Sequence, residues 1–250
     1  MKKTNIIVTF ANLKGGLGKR TLCTLFALYV RSLGIPVKVV DCDGQHSIAQ
    51  TREKELQQLK NLSSGTDHVI ADDMPFEVES HSLESQQETN SLIKRLKSFE
   101  GVVVLDSPGN LKEEGIVSLL ANSDYIACPY MLDRVTIDAT ATFIVVVYRL
   151  MDTLGSAMSA KMLFIPNRVD SRFGTAKEKA LFSATKLHLS QYGDVTPDVD
   201  YRACVQRFSS LSLTPDQLKT IAEPFGFLAA RMGLTQDNAE LKARNDGESE

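Results

Sequence analysis

Short continuous apolar runs alternate with longer stretches in which apolar residues recur at helical spacing. Ile6-Ile7-Val8 marks a first strand over residues 5–11, and residues 22–30 repeat their apolar positions as a helix would. That helix runs to about Leu33, where Gly34 caps it and Pro36 prevents its return. Val37 to Val40 is a β-branched run, a buried strand delivering Asp41-Cys42-Asp43. Residues 48–62 carry many Gln, Glu and Lys around Ile48, Leu56 and Leu59, the pattern of an exposed helix. His68-Val69-Ile70-Ala71 fits a strand, and Met74-Pro75 breaks whatever precedes it. Residues 83–99 read as a helix with Leu92, Ile93, Leu96 and Phe99 on one face.

The clearest strand is Gly101-Val102-Val103-Val104-Leu105-Asp106, followed by a turn at Ser107-Pro108-Gly109-Asn110. Uninterrupted runs of this kind suit a parallel sheet covered on both faces. The remaining pattern predicts a helix over 111–121, a strand over 125–128, a long helix over 136–154 and a strand over 162–165. Further on it predicts a helix over 176–192, an extended segment over 194–200, a short helix over 201–208, and a helix over 216–232 disturbed near Pro224. Strands alternate with helices, and no Pro-, Gly- or Ser-rich linker divides them. The expected fold is α/β, a doubly wound, mostly parallel sheet forming one domain over 1–234, with a polar, mobile tail over 235–250.

Between the first strand and the first helix lies Lys14-Gly15-Gly16-Leu17-Gly18-Lys19. Strand, glycine-rich loop, lysine and helix is the arrangement of a phosphate-binding loop. Glycines let several backbone N–H groups point at one anion, the helix N-terminus adds positive potential, and Lys19 adds a full charge. The usual pattern is not met: Leu13 stands where the first glycine belongs, and Arg20 where Ser or Thr is expected.

Composition narrows the setting. The net charge of −3 over 250 residues does not indicate a strongly basic nucleic-acid binder, although a local patch is compatible with it. Cys23, Cys42, Cys128 and Cys204 are scattered without a C-x-x-C pair and read as small buried residues of a reducing compartment. Cys42 is expected to face away from its two flanking carboxylates, into the core. The four histidines show no metal-ligand spacing. No signal peptide and no apolar run of roughly 18 residues is found, so a cytoplasmic protein is expected.

In a doubly wound sheet, ligands bind beyond the carboxyl ends of the strands. Four polar clusters fall there: 14–21, 41–45, 106–109 and 167–170. A nucleoside triphosphate site needs a phosphate cradle, carboxylates near Mg²⁺, a group to position water and a contact for the base. The plainer readings stay open. Asp41 and Asp43 can cap the following helix, Asp106 can open a turn, and Asn167 can bond its own turn backbone.

KGGLGKRT resembles the deviant phosphate loop of the ParA/MinD family of ATPases. Asp41-Cys42-Asp43-Gly44-Gln45 is similar to that family's D-x-D-P-Q segment, and Leu105-Asp106-Ser107-Pro108-Gly109 to its second acidic strand end. The resemblance spans most of residues 5–230, and the small size is similar to that of the short partition ATPases of plasmids; VVDCDGQHSI is also similar to ParA-like proteins of conjugative elements.

The resemblance implies ATP and Mg²⁺ as cofactors. It places Gly15, Gly16, Leu17, Gly18, Lys19, Arg20 and Thr21 around the phosphates, with Lys19 on the β- and γ-phosphates and Thr21 on the α-phosphate. Asp43 would position the attacking water, Asp41 and Asp106 would lie around the metal, and Asn167 would face the adenine edge. Lys14 would be the signature lysine reaching across a nucleotide-sandwich homodimer.

It further implies a partner DNA-binding protein that stimulates hydrolysis, and non-specific DNA as a ligand; late basic residues (Lys177, Lys179, Arg202, Arg207, Lys219) could supply a phosphate-contacting surface, although each taken singly fits a solvated helix face better. The MinD branch ends in a basic amphipathic helix. Residues 220–234 are amphipathic here, but the polar, acidic tail after them argues against membrane insertion.

Arg20 is the departure that matters. The residue after the loop lysine normally offers a hydroxyl to the metal, whereas a guanidinium has five donors and no lone pair. Thr21 lies roughly 100° further around the helix and is no simple replacement. The expectation is a weak ATPase, or a nucleotide-binding regulator without useful hydrolysis.

Overall fold

The apolar runs lie side by side in one parallel sheet. A computed structural model describes residues 5–62, 74–170, 172 and 174–234. The strands are β1 (Asn5–Phe10), β2 (Val37–Asp41), β3 (Glu77–Ser80), β4 (Gly101–Asp106), β5 (Tyr125–Tyr130), β6 (Lys161–Val169), β7 (Asp194–Val195) and β8 (Val199–Asp200). Their order across the sheet is β3-β2-β4-β1-β5-β6-β7, with β8 also paired to β6, and every pairing is parallel. The chain steps from β1 outward to β2 and later returns to β5 on the opposite side, so a crevice opens beyond the carboxyl end of β1.

The helices are α1 (Lys19–Ser32), α2 (Ser47–Leu62), α3 (Gln86–Leu96), α4 (Gly115–Ala121), α5 (Arg134–Leu154), α6 (Ala176–Leu189), α7 (Ala203–Gln206) and α8 (Pro215–Arg231). Strand alternation splits the core into two layers. Val102 and Val104 face Leu25, Phe26 and Phe225 of α1 and α8, while Val103 and Leu105 face Leu92, Leu119 and Phe143 of α3, α4 and α5. Both faces are therefore dry, which is why β4 reads as an unbroken apolar run. Phe26 anchors the first layer, with its ring centroid 5.9 Å from Phe10 and 5.4 Å from Phe225.

Several boundaries move for identifiable reasons. α3 begins at Gln86 rather than near 83, because the Ser85 side chain caps it by accepting from the Glu88 N–H. α8 runs through Pro224 without a break and starts at a capping box of Thr214 and Gln217. β6 continues past Ile165 to Val169, carrying Asn167 and Arg168 on the strand end.

β3 is a strand that the apolar pattern did not announce. It is a polar edge strand, EVES, held to β2 by Lys38, which reaches Glu77 at 3.1 Å and Glu79 at 3.3 Å. The strand expected at 68–71 and the tail at 235–250 lie outside the described residues. Among the described residues, no helix is long and apolar enough to cross a membrane. Cys23, Cys42 and Cys128 are buried and Cys204 is half-buried, all as free thiols, and Cys42 packs in the layer opposite to the side of Val37 and Val39.

Candidate functional site

The loop between β1 and α1 is shaped by its glycines. Gly16 (φ 80°) and Gly18 (φ 86°) take left-handed backbone, which glycine adopts without a Cβ penalty. Gly18 is the N-cap of α1, and no acidic side chain of the helix's own first turn offsets its positive end. Buried Leu17 pins the loop from below. Buried Asn12 ties it to β5 by donating to the Pro129 carbonyl at 2.9 Å.

Apart from the glycine itself and its chain neighbours, no heavy atom lies within 4 Å of where a Cβ on Gly15 or Gly16 would sit, so the cradle is open. Lys19 folds into it and donates from Nζ to the Lys14 carbonyl at 3.1 Å. Burial lowers the Lys19 pKa, against an opposing pull from Asp106 and Asp43. A Cβ on Gly109, in the turn after β4, would stand 3.4 Å from the Gly15 nitrogen, so that turn forms the opposite wall.

Asp106 closes the inner end, with Asp41 beside it on the neighbouring strand and off the cavity wall. Asp41 and Asp106 are partners in the β2–β4 register, each the last residue of its strand. Asp41 Oδ2 accepts from the backbone N–H of Ile48 at 2.8 Å and of Ala49 at 3.2 Å, which makes it the cap of α2. Its Oδ1 and the Oδ1 of Asp106 are buried without a hydrogen-bond partner. Burial, reinforced by the neighbouring Asp41 charge, raises the Asp106 pKa well above the usual carboxylate range, while Lys19 and Arg20 pull it down. Asp43 is half-buried, and its Oδ1 accepts from the Gln45 N–H at 3.1 Å in an Asx turn.

These groups surround a cavity of about 330 Å³. Of the residues singled out in the sequence, Gly15, Gly16, Gly18, Lys19, Arg20, Thr21, Asp43 and Asp106 line it. Four others stand outside its wall. Lys14 is exposed, Leu17 lies beneath the loop, Asp41 stands behind α2's first turn, and Asn167 is buried behind the loop, donating to the Leu17 carbonyl at 2.8 Å.

The wall also includes Gln45, Gly109 and Arg168, which fall in the polar clusters of the sequence but carried no assigned role there, and Ser47, which lies outside them. Arg168 carries a left-handed backbone (φ 56°) and donates from Nη2 to Gln206 Oε1 at 2.9 Å, while its buried Nε has no partner. Its place in the polar cluster at the end of β6 was the available signal.

A triphosphate suits this cavity: an open glycine cradle, the N-terminus of α1 and a lysine line it together. The residues suit a divalent metal less well. Asp41 Oδ1 and Asp106 Oδ1 are buried without partners, only Asp106 reaches the cavity wall, and a guanidinium stands where the hydroxyl ligand belongs. Among the described residues, no group of three or more His, Cys, Asp or Glu could hold a metal ion.

Comparison with known proteins agrees with this geometry. Residues 8–208 match the profile of the CobQ/CobB/MinD/ParA nucleotide binding domain. A sequence comparison with curated proteins finds no match. Among solved structures, a plasmid partition protein from Borrelia burgdorferi superposes with a TM-score of 0.63 at 17% identity, covering 92% of this chain and 100% of that one. An ATP complex of McdA from Cyanothece superposes at 0.67 and 14% identity, covering 94% of this chain and 98% of that one. The MinD cell division protein of Aquifex aeolicus superposes at 0.62 and 14% identity, covering 90% and 97%. At such identities the superpositions speak for the fold, and the profile match over most of the chain speaks for descent. The chain belongs to the CobQ/CobB/MinD/ParA family of nucleotide-binding domains.

Proposed function

We propose that this protein is a ParA-like, ATP-dependent dimeric switch that serves the partition or segregation of a plasmid or other mobile DNA, with slow hydrolysis. The observation that carries the reading is the cavity itself, where an open glycine cradle, Lys19 and the Asp43 and Asp106 carboxylates meet beyond β1 and β4. Lys19 exchanges its contact with the Lys14 carbonyl for the β- and γ-phosphates. The Gly15, Gly16 and Gly18 N–H groups hold the same oxygens. Asp43, on the wall, orients the attacking water. Lys14 is exposed beside the cavity rather than within it, which suits a side chain that completes the site of a second copy. A cation arriving there answers negative charge developing during transfer.

The names of structural neighbours from Borrelia and Cyanothece, a plasmid partition protein and an ATP complex, support partition and ATP in this reading. A protein partner is in keeping with the MinC:MinD complex of Aquifex aeolicus. Slow turnover follows from Arg20, which brings no lone pair to the place of the usual hydroxyl. Non-specific DNA contact would fall to Lys177, Arg207 and Lys219, which are exposed, more than to Arg202, which is paired with Asp200 at 3.3 Å.

Steady-state ATP hydrolysis by the wild type and by Arg20→Thr tests the catalytic part. The variant is expected to be faster by roughly tenfold, the scale of one restored contact in the transition state; equal rates would sink it. ATP-dependent dimerisation in sedimentation, and a DNA mobility shift that weakens steeply with salt, test the rest.

A further inference from the structure

Three cationic side chains, Lys19, Arg20 and Arg168, line the cavity against two carboxylates, Asp43 and Asp106. Arg20 occupies the first turn of α1, directly after the loop lysine, with its side chain exposed at the cavity wall. Its charge reaches Asp106, whose buried Oδ1 has no hydrogen-bond partner. Arg168 is held at the same wall by Gln206, with its Nε still unpartnered. In ordinary phosphate loops the residue at position 20 helps hold a divalent cation that offsets phosphate charge. A guanidinium cannot ligate that cation, but it can offset the charge directly, with planar, charge-assisted hydrogen bonds to phosphate oxygens. A triphosphate without metal is more negative than its magnesium complex, and this wall supplies one fixed positive charge more than a loop with Ser or Thr at that place.

We infer that Arg20 stands in for the divalent metal in neutralising the phosphates, so that the site binds nucleoside triphosphate without Mg²⁺. The inference rests on the ATP-binding reading above and departs from the metal requirement that the family resemblance implied. It is also in keeping with the slow turnover proposed above: a fixed guanidinium neutralises the ground state but offers no metal-held water or oxygen to the reacting groups.

Calorimetric titration with AMPPNP, which does not turn over, decides it. The wild type, Arg20→Thr and Arg20→Ala are each titrated in excess MgCl₂ and again in EDTA. Wild-type affinity is expected to change by less than about threefold between the two buffers, well under the tenfold that corresponds to about 1.4 kcal/mol. Arg20→Thr, with a hydroxyl restored and the charge removed, is expected to weaken at least about tenfold in EDTA. Arg20→Ala is expected to bind at least about tenfold more weakly than wild type in EDTA, because the charge is lost.

A wild type that weakens by more than about threefold on metal removal overturns the inference while leaving ATP binding intact. So does metal indifference retained in Arg20→Thr. Absence of AMPPNP binding by the wild type in both buffers overturns the ATP reading itself, and this inference with it. Arg20 is exposed, so both variants are expected to keep the wild-type circular dichroism spectrum and melting temperature; the wild-type arm decides the metal question independently of either.

Discussion

Asn167 donates its side-chain N–H to the carbonyl oxygen of Leu17 at 2.8 Å, so the end of β6 holds the phosphate loop from behind. The fit is tight, since a Cβ on Gly18 would collide with the Asn167 side-chain nitrogen. Two roles for Asn167 now make different predictions. If it holds the loop, Asn167→Ala weakens ATP and GTP alike, by roughly tenfold, the worth of one buried hydrogen bond and the order it imposes. If it reads the adenine edge, ATP affinity falls while GTP affinity does not. Competition binding with both nucleotides separates the two, and equal loss is the expected outcome.

Asp41 shows how a site residue can also be a stability residue. Asp41→Ala leaves the Ile48 and Ala49 N–H groups without their acceptor and is expected to cost about 1–2 kcal/mol, the range for a lost helix cap. Asp41→Asn keeps an acceptor and removes the charge. Burial holds the folded pKa of Asp41 above its unfolded value, so its contribution to stability is fully present below the unfolded pKa and declines as pH rises through the folded one. At neutral pH the Asn variant is therefore expected to be at least as stable as wild type in urea. A loss equal to that of Ala would show that the charge itself holds the cap.

The alternation of elements and the phosphate loop were legible in the sequence because each is a backbone requirement. A strand dry on both faces needs an unbroken apolar run such as 102–105, and a left-handed loop needs glycine at 16 and 18. β3 was not legible because its cohesion is tertiary: four residues, EVES, hold their place through Lys38 on β2 and Arg95 on α3. The aim of Asn167 and Arg168 was hidden for a different reason. It depends on β6 running on to Val169 through an irregular register and on the left-handed backbone of Arg168, neither of which an apolar pattern encodes.

Glu79 carries the opposite pH sign to Asp41. Its carboxylate accepts from Arg95 Nη1 at 2.9 Å and from Arg95 Nη2, and Lys38 lies 3.3 Å away; together they hold its pKa below the usual glutamate range. A depressed folded pKa gives stability that is present above the unfolded pKa and lost as pH falls through the folded one. Glu79→Gln is expected to cost about 0.5–1 kcal/mol at neutral pH, a discounted value for a partly exposed group. The gap should begin to narrow as pH falls to about 4.3, the unfolded glutamate pKa, and close once pH lies below the depressed folded one. Urea midpoints across that pH range check it, and a gap that persists in acid would assign the effect to packing.

Arg52 makes the strongest stability prediction in the chain, because it joins three segments far apart in sequence. From α2 its Nε donates to Ser210 Oγ at 2.8 Å and its Nη1 to the Phe76 carbonyl at 2.9 Å, and its guanidinium lies 4.5 Å from the centre of the Phe76 ring. Glu55, one turn on, accepts from the Ser210 N–H at 2.9 Å, so Ser210 is gripped by a cation and an anion together. Burial lowers the Arg52 pKa only to about 10, which leaves it charged at neutral pH. Removing one partner from such a buried network typically costs about 3–5 kcal/mol, and Arg52→Ala is expected near the lower end, since Glu55 keeps Ser210 as its donor. Arg52→Lys is expected to recover little of this, because a single ammonium cannot span the Ser210 hydroxyl and the Phe76 carbonyl as a planar fork does. Chemical denaturation of the three proteins measures it. A lysine variant as stable as wild type would mean that charge alone, and not the geometry of the fork, holds α2 to the segment before α8.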